Sequence, residues 1–208
     1  LIIFIFSLPG FWLIFNFPSL LKTTYSSKFH NTVLINTSIL SFYFLPFFFT
    51  FWLNLTDKFV IKRKYLLSFI IGLAILIFLI LFGFDYLNFR KAGGGFFLKI
   101  SYLLFNNPYF FYLTSLFGIF CIIMLSTEDK KNLFMLALLV FGFSGSVIYQ
   151  KYFEPMFVMI LFLLINSTVV SGFFINKKNI LVYYSYIFLY FISAILNDYI
   201  KVTSTIQY

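Results

Sequence analysis

Charge is scarce in this chain. Only 10% of its 208 residues are Asp, Glu, Lys or Arg, and 62% are hydrophobic. A typical soluble domain carries about 25% charged residues. One small core cannot hide so much apolar surface, so a soluble globular domain is excluded and lipid is the solvent for much of the chain. Cysteine and histidine are nearly missing. Cys121 sits alone in an apolar run and His30 alone in a polar stretch expected to be a loop. One thiol forms no internal disulfide, and neither residue has the neighbours that a zinc site or a catalytic dyad requires. No metal site and no cofactor are expected.

What the chain has in excess is Phe, with 35 residues, and Tyr, with 15. Lys outnumbers Arg, and Ala is rare. Phe, Ile, Lys, Asn and Tyr are the residues of AT-rich codons, so coding bias accounts for the aromatic content without a binding role. The net charge of +9 comes from lysines spread over short polar breaks, and it makes no case for a nucleic-acid partner. The chain opens at Leu1 inside an apolar run, with no basic region before it and no small-residue cleavage site after it. It is expected to lack a signal peptide and to be the C-terminal part of something longer.

Apolar runs and their breaks predict about seven spans: Leu1–Phe17, Thr32–Leu53, Tyr65–Phe84, Pro108–Leu125, Asn132–Tyr149, Pro155–Phe174 and Ile180–Leu196. Each approaches the roughly 20 residues that cross a ~30 Å hydrocarbon core as helix. The runs do not alternate apolar with polar, as barrel strands do, and backbone groups in lipid must bond within their own segment. The expected fold is therefore all-α, a polytopic membrane helix bundle forming a single transmembrane domain over residues 1–208. Pro9-Gly10 and Pro46 are expected kinks. Mid-span polar residues such as Asn36, Ser144, Asn166 and Ser167 read as helix–helix contacts.

Basic residues in short loops orient such a protein. Seven lie on one side: Lys22, Lys28, Arg90, Lys91, Lys99, Lys151 and Lys201. Eight are packed into three compact loops on the other, around Lys58, Lys62–Lys64, Lys130, Lys131, Lys177 and Lys178. The compact loops are assigned to the cytoplasm. The expected location is a cell membrane, the inner membrane of a bacterium, with membrane lipid as partner.

That assignment turns two stretches outward. The loop over residues 85–107 carries Asp85, Arg90 and Lys91, then Gly93-Gly94-Gly95, then Phe96, Phe97, Ile100, Leu103 and Leu104 at helical spacing. The spacing predicts a short interfacial helix. Glycines before a helix, beside two cations, suit a phosphate; they also suit a plain hinge. The second stretch is Lys151-Tyr152-Phe153-Glu154-Pro155 at the mouth of an apolar run. Pro155 fits the first turn of a helix, and a carboxylate beside it is favoured by the helix dipole. The connection is short enough to hold Lys151, Tyr152 and Glu154 at the membrane surface, where a lipid phosphate lies. Glu128, Asp129 and Asp57 sit beside lysines and read as solvated loop charges.

A basic residue followed by Tyr, an aromatic, any residue and Pro, at the outer start of a late span, resembles polytopic glycosyltransferases of the GT-C superfamily, in particular the protein-mannosyltransferase-like enzymes. The matching residues are Lys151, Tyr152, Phe153, Glu154 and Pro155. The resemblance implies a polyprenyl-phosphate-linked sugar as donor, bound by Lys151, Tyr152, Glu154, Arg90 and Lys91, with the basic residue near the donor phosphate. It also implies a catalytic acid in an early outer loop, which is expected upstream of Leu1. The competing expectations are a polysaccharide polymerase, a lipid-linked-sugar flippase or transporter, and a non-catalytic membrane subunit.

Overall fold

A computed structural model of the protein describes residues 28–54, 63–84, 93–142, 148 and 150–206. The described residues form eight α-helices and one π-helical turn, with no strand among them. The helices are α1 (Phe29–Asn54), α2 (Arg63–Leu81), α3 (Gly95–Ile100), α4 (Tyr109–Glu128), α5 (Lys130–Gly142), α6 (Gln150–Leu163), α7 (Thr168–Ile175) and α8 (Lys177–Ile206); the π turn, Ser101–Phe105, continues α3.

Among the described residues four helical stretches are long and apolar enough to cross a membrane: Phe29–Thr50, Lys64–Leu81, Tyr109–Glu128 and Lys177–Ile195. A fifth exists if α6 and α7 count as one broken crossing. This is compatible with a multi-pass integral membrane protein. The expected span Leu1–Phe17 lies outside the described residues. Of the expected span Asn132–Tyr149 the structure describes α5, with 13 residues; residues 143–147 and 149 lie outside the described residues. In place of Pro155–Phe174, the chain bends by 89° between Phe153–Leu163 and Thr168–Ile175.

The core is α1. Its sequence is apolar on every side and carries no Asp, Glu, Lys or Arg, the pattern of a helix surrounded by others rather than one with a single buried stripe. Helices α2, α3, α4, α5, α7 and α8 all pack on it, and residues such as Leu34, Ile35, Leu40 and Phe44 are fully buried. Within lipid, burying a Leu against protein gains little over leaving it in hydrocarbon, so association rests on close packing and hydrogen bonds. The α1–α4 contact shows both. Gly118 lies directly on the backbone of Thr37, and a Cβ there would fall onto the Thr37 carbonyl. Around that crossing the Ser115 hydroxyl donates to Leu34 O at 2.9 Å, and Ser38 and Thr114 share a hydrogen bond of 2.9 Å. Asn36 reaches α5, donating from Nδ2 to Val140 O at 2.6 Å.

Pro46, the expected kink, has a specific consequence. Proline has no N–H to give the carbonyl four residues earlier, which is that of Phe42. In its place the Tyr186 hydroxyl of α8 donates to Phe42 O at 3.1 Å. Aromatic packing secures the same junction, with Phe42 against Tyr186 and Tyr190 at centroid separations of 4.9 and 4.8 Å. Otherwise α8 is barely covered, and Leu181, Phe188, Leu189 and Phe191 face outward.

His30 lies in the first turn of α1 rather than in a loop. It is buried, and its Nε2 donates to Gly83 O at 2.8 Å, tying the start of α1 to the end of α2. At the other end of the bundle the α4–α5 turn meets the α6–α7 bend. Exposed Lys64, Lys130 and Lys131 gather there, and α7 leads from it to exposed Lys177 and Lys178.

Two outcomes are expected. Tyr186→Phe leaves the Phe42 carbonyl unpaired and costs about 1–3 kcal/mol in a reversible unfolding assay in mixed micelles. Pro46→Ala restores the missing backbone donor, so Tyr186→Phe should cost less in that background; equal costs in both would refute the pairing. In a Cys121→Ser protein, cysteines at Lys99 and Lys178 should react with a membrane-impermeant thiol reagent from opposite sides, and labelling of both from one side would overturn the orientation.

Candidate functional site

The expected site residues separate into those the structure gathers and those outside it. Arg90, Lys91 and Asp85 lie outside the described residues. Lys151, Tyr152 and Glu154 are all on α6, though the side chain of Tyr152 is outside the described part. Helix α6 begins at Gln150, one turn earlier than Pro155 suggested. Pro155 therefore falls in the second turn. Lys151 and Glu154, three residues apart, are neighbours along the helix; Lys151 is exposed and Glu154 half-buried.

Glu154 is not simply displayed at the surface. Its Oε1 accepts a hydrogen bond of 3.0 Å from the hydroxyl of Tyr43. Tyr43 is 3% exposed and sits well inside α1, about 20 Å along the helix from Phe29. The ring of Tyr43 stacks on Phe157 of α6 at 4.9 Å, which sets the distance between the two helices. Tyr183 and Tyr190 of α8 lie within electrostatic reach of the same carboxylate. The carboxylate is thus held by one tyrosine of α1 and faces two more of α8. Burying such a charge requires partners of this kind, and the half-exposure of Glu154 leaves one side accessible.

The glycine run is packed into the protein. Gly93, Gly94 and Gly95 are buried, with φ of 77°, 80° and 78°. Only glycine takes three such left-handed steps without strain. The run turns the chain onto the start of α6: Gly94 N donates to Ile148 O, and Phe96 N donates to Gln150 Oε1, both at 2.9 Å. A Cβ at Gly95 would lie 2.7 Å from Ile39 Cγ1, so the turn also sits directly on α1. Two backbone donors of the stretch, Gly94 N and Phe96 N, are thus spent on the protein.

Helix α3 departs from the expected interfacial face as well. Phe97 and Leu98 are buried, whereas Leu103 and Leu104 are each 72% exposed. The π turn over Ser101–Phe105 adds residues per turn, which rotates the later side chains away from the face that Phe97 occupies. Lys99 points outward as expected. Ser101 ties the turn to α4, accepting from Phe111 N and donating to Asn107 O.

Sequence reasoning missed a second polar cluster, at the α6–α7 bend. Asn132, fully buried, donates from Nδ2 to Leu125 O and Asn166 O and accepts from Asn166 N, at 2.8 to 3.1 Å. Glu128 is no mere solvated charge: its carboxylate accepts from the backbone N and the hydroxyl of Thr168 at 2.9 and 3.0 Å. Both hold a segment whose backbone lacks helical partners. The available signal was Asn166-Ser167-Thr168, a polar trio of helix-capping residues inside an apolar run, and Ser167 does cap α7 through Val169 N. Asn166, Ser167 and Ser171 also line a half-open cleft of about 200 Å³ in the bend, otherwise walled by apolar side chains such as Leu161, Phe162 and Phe174. Among the described residues no three His, Cys, Asp or Glu side chains group as metal ligands do.

Comparison of the chain with family models, with curated proteins and with solved structures returns no match. The candidate site therefore rests on its own geometry.

The Tyr43–Glu154 bond yields a direct test. Glu154→Ala and Tyr43→Phe should each destabilise the protein, and a double-mutant cycle read by unfolding in mixed micelles should return a coupling of about 1.5–3 kcal/mol for a bond to a charged acceptor. A coupling near zero would show that the two side chains do not meet.

Proposed function

We propose that this chain is the membrane portion of a glycosyltransferase that takes a sugar from a polyprenyl-phosphate donor at the outer membrane face. The observation that carries the reading is the layout of α6. Lys151 is exposed one turn before Glu154, and Glu154 is fixed to Tyr43 in the interior. An ammonium at the surface suits the phosphate of a lipid-linked donor, whose chain lies in the bilayer beside it. The carboxylate behind it suits the neutral sugar. The start of α6 is anchored through Gln150 and Ile148 to the glycine turn, so Lys151 is presented from a fixed base, as a binding site needs. In this reading Glu154 orients ligand and Tyr43, and the base that takes the acceptor proton is supplied by another part of the enzyme. Gathering of Lys64, Lys130, Lys131, Lys177 and Lys178 towards the opposite end supports placing that end in the cytoplasm. Seven crossings and the inner membrane of a bacterium belong to the same proposal.

One observation favours a second reading, a lipid-linked-sugar flippase or transporter. Glu154 meets α1 far from its ends, among tyrosines, and an ionisable residue turned into a helix bundle is characteristic of a transport path. Reconstituted vesicles separate the two, since transfer yields a glycosylated acceptor while flipping only moves the donor between leaflets.

For the transferase, Lys151→Ala should lower kcat/KM for the polyprenyl-phosphate sugar about ten- to a hundredfold, corresponding to roughly 1.5–3 kcal/mol for a lost charge-assisted bond. Lys151→Arg should retain more activity. Unchanged turnover in Lys151→Ala would make the residue an interfacial anchor only.

A further inference from the structure

The cleft at the α6–α7 bend has no part in the function proposed above. It encloses about 200 Å³ between Leu161 and Phe162 of α6 and Val170 and Phe174 of α7. Pockets that enclose a whole small molecule run to roughly 300–1,000 Å³, so this one suits part of a ligand. Its polar rim is engaged within the protein. Ser167 Oγ accepts from Val169 N, Ser171 Oγ donates to Thr168 O, and Asn166 is bonded to Asn132 and Asp129. The walls that remain are apolar. Two of them, Phe162 and Phe174, are themselves exposed, as are their neighbours Leu163 and Ile175. In a bilayer such a surface is solvated by acyl chains.

Cations flank the same bend. Beyond Phe174 the chain reaches Lys177 and Lys178, and Asp129, which holds Asn166, is followed by Lys130 and Lys131. All four lysines are exposed. They stand in the first turns of α8 and α5, neither of which carries an acidic residue. The helix dipole disfavours a cation there, so these lysines do not serve their own helices. The acidic side chains beside them are already engaged. Glu128 accepts from the backbone and hydroxyl of Thr168, and Asp129 accepts from Lys131 N and Asn166 Nδ2. Four ammonium groups against two carboxylates leave this surface positive.

The combination decides the ligand. A free anion would use the lysines and leave the cleft empty. A zwitterionic lipid would fill the cleft but bring no net charge to the lysines. An anionic phospholipid uses both, and basic pockets between membrane helices are where such headgroups bind. We propose that the α6–α7 bend binds one anionic phospholipid, with part of an acyl chain in the cleft and the headgroup among Lys130, Lys131, Lys177 and Lys178. The lipid fills the gap that an 89° bend leaves in the lipid-facing wall. This site is separate from the donor site proposed around Lys151.

The test uses the purified chain in vesicles of brominated phosphatidylglycerol or brominated phosphatidylcholine with the same acyl chains. Trp12 and Trp52 are changed to Phe, and Phe162→Trp supplies a single fluorescent reporter in the cleft wall. Bromine quenching of that reporter should show phosphatidylglycerol bound at least about fivefold more tightly, the effect of one lysine near an anionic surface. Lys→Gln at positions 130, 131, 177 and 178 together should bring the ratio to about one. Ser171→Leu, which sets a larger side chain in the cleft, should reduce quenching by both lipids. A reporter at the exposed Phe188 of α8, Phe188→Trp, should show no preference. Equal affinity at Phe162→Trp would overturn the site. The same preference at Phe188→Trp would make the selectivity a general attraction to anionic lipid and overturn it equally. A preference that survives loss of the four lysines would refute the headgroup assignment, and undiminished quenching in Ser171→Leu would refute the cleft as the place of the chain. The lysine variants, all at exposed positions, decide the matter if Ser171→Leu fails to fold.

Discussion

The close approach of α1 and α4 at Thr37 and Gly118 is the contact on which the rest of the bundle depends. Within a bilayer no hydrophobic force draws two apolar helices together, because lipid tails solvate a Leu as well as a neighbouring helix does. Short range is what remains. The missing side chain at Gly118 lets the two backbones meet, and only at that separation can the hydroxyls of Ser115 and Thr114 reach Leu34 O and Ser38. With α4 seated, α1 becomes a buried axis on which the other helices find a surface to match.

Three departures from regular helix among the described residues have a named partner elsewhere in the chain. The carbonyl of Phe42 that Pro46 leaves without a donor receives the Tyr186 hydroxyl. The bend between α6 and α7 is closed by Asn132 and Glu128. The turn at Gly93–Gly95 is closed by Ile148 and Gln150. This is what hydrocarbon demands, since irregular backbone survives at membrane depth only where protein satisfies it. The same requirement brings chemistry together, because the turn that captures Gln150 also fixes the start of α6, and with it Lys151 and Glu154.

The site illustrates a general feature of polar groups in such bundles. Glu154 could have been a surface anchor, as its place beside a proline suggests. Held instead by Tyr43 and near Tyr183 and Tyr190, it is a charge kept within the protein at a cost that hydrogen bonding offsets.

Composition pointed to lipid as solvent, because a 62% apolar chain with 10% charge exceeds what one small core can hide, and the unalternating apolar runs pointed to helix; four to five helices long enough to span a membrane are compatible with that reading. Apolar runs and their polar breaks also placed the long helices, whereas the central position of α1 came from the fold. Lys151 and Glu154 were visible as a polar interruption in an apolar run. What the sequence could not carry is depth and partnership. Whether Pro155–Phe174 stays straight turned on Asn132 and Glu128 pairing with residues 34 and 40 positions away. Hydropathy has no term for such a pairing. Likewise Glu154 reads the same in sequence at a surface or in a bundle; only the fold brings Tyr43, 111 residues distant, against it, because hydrogen bonds are satisfied in space and not along the chain.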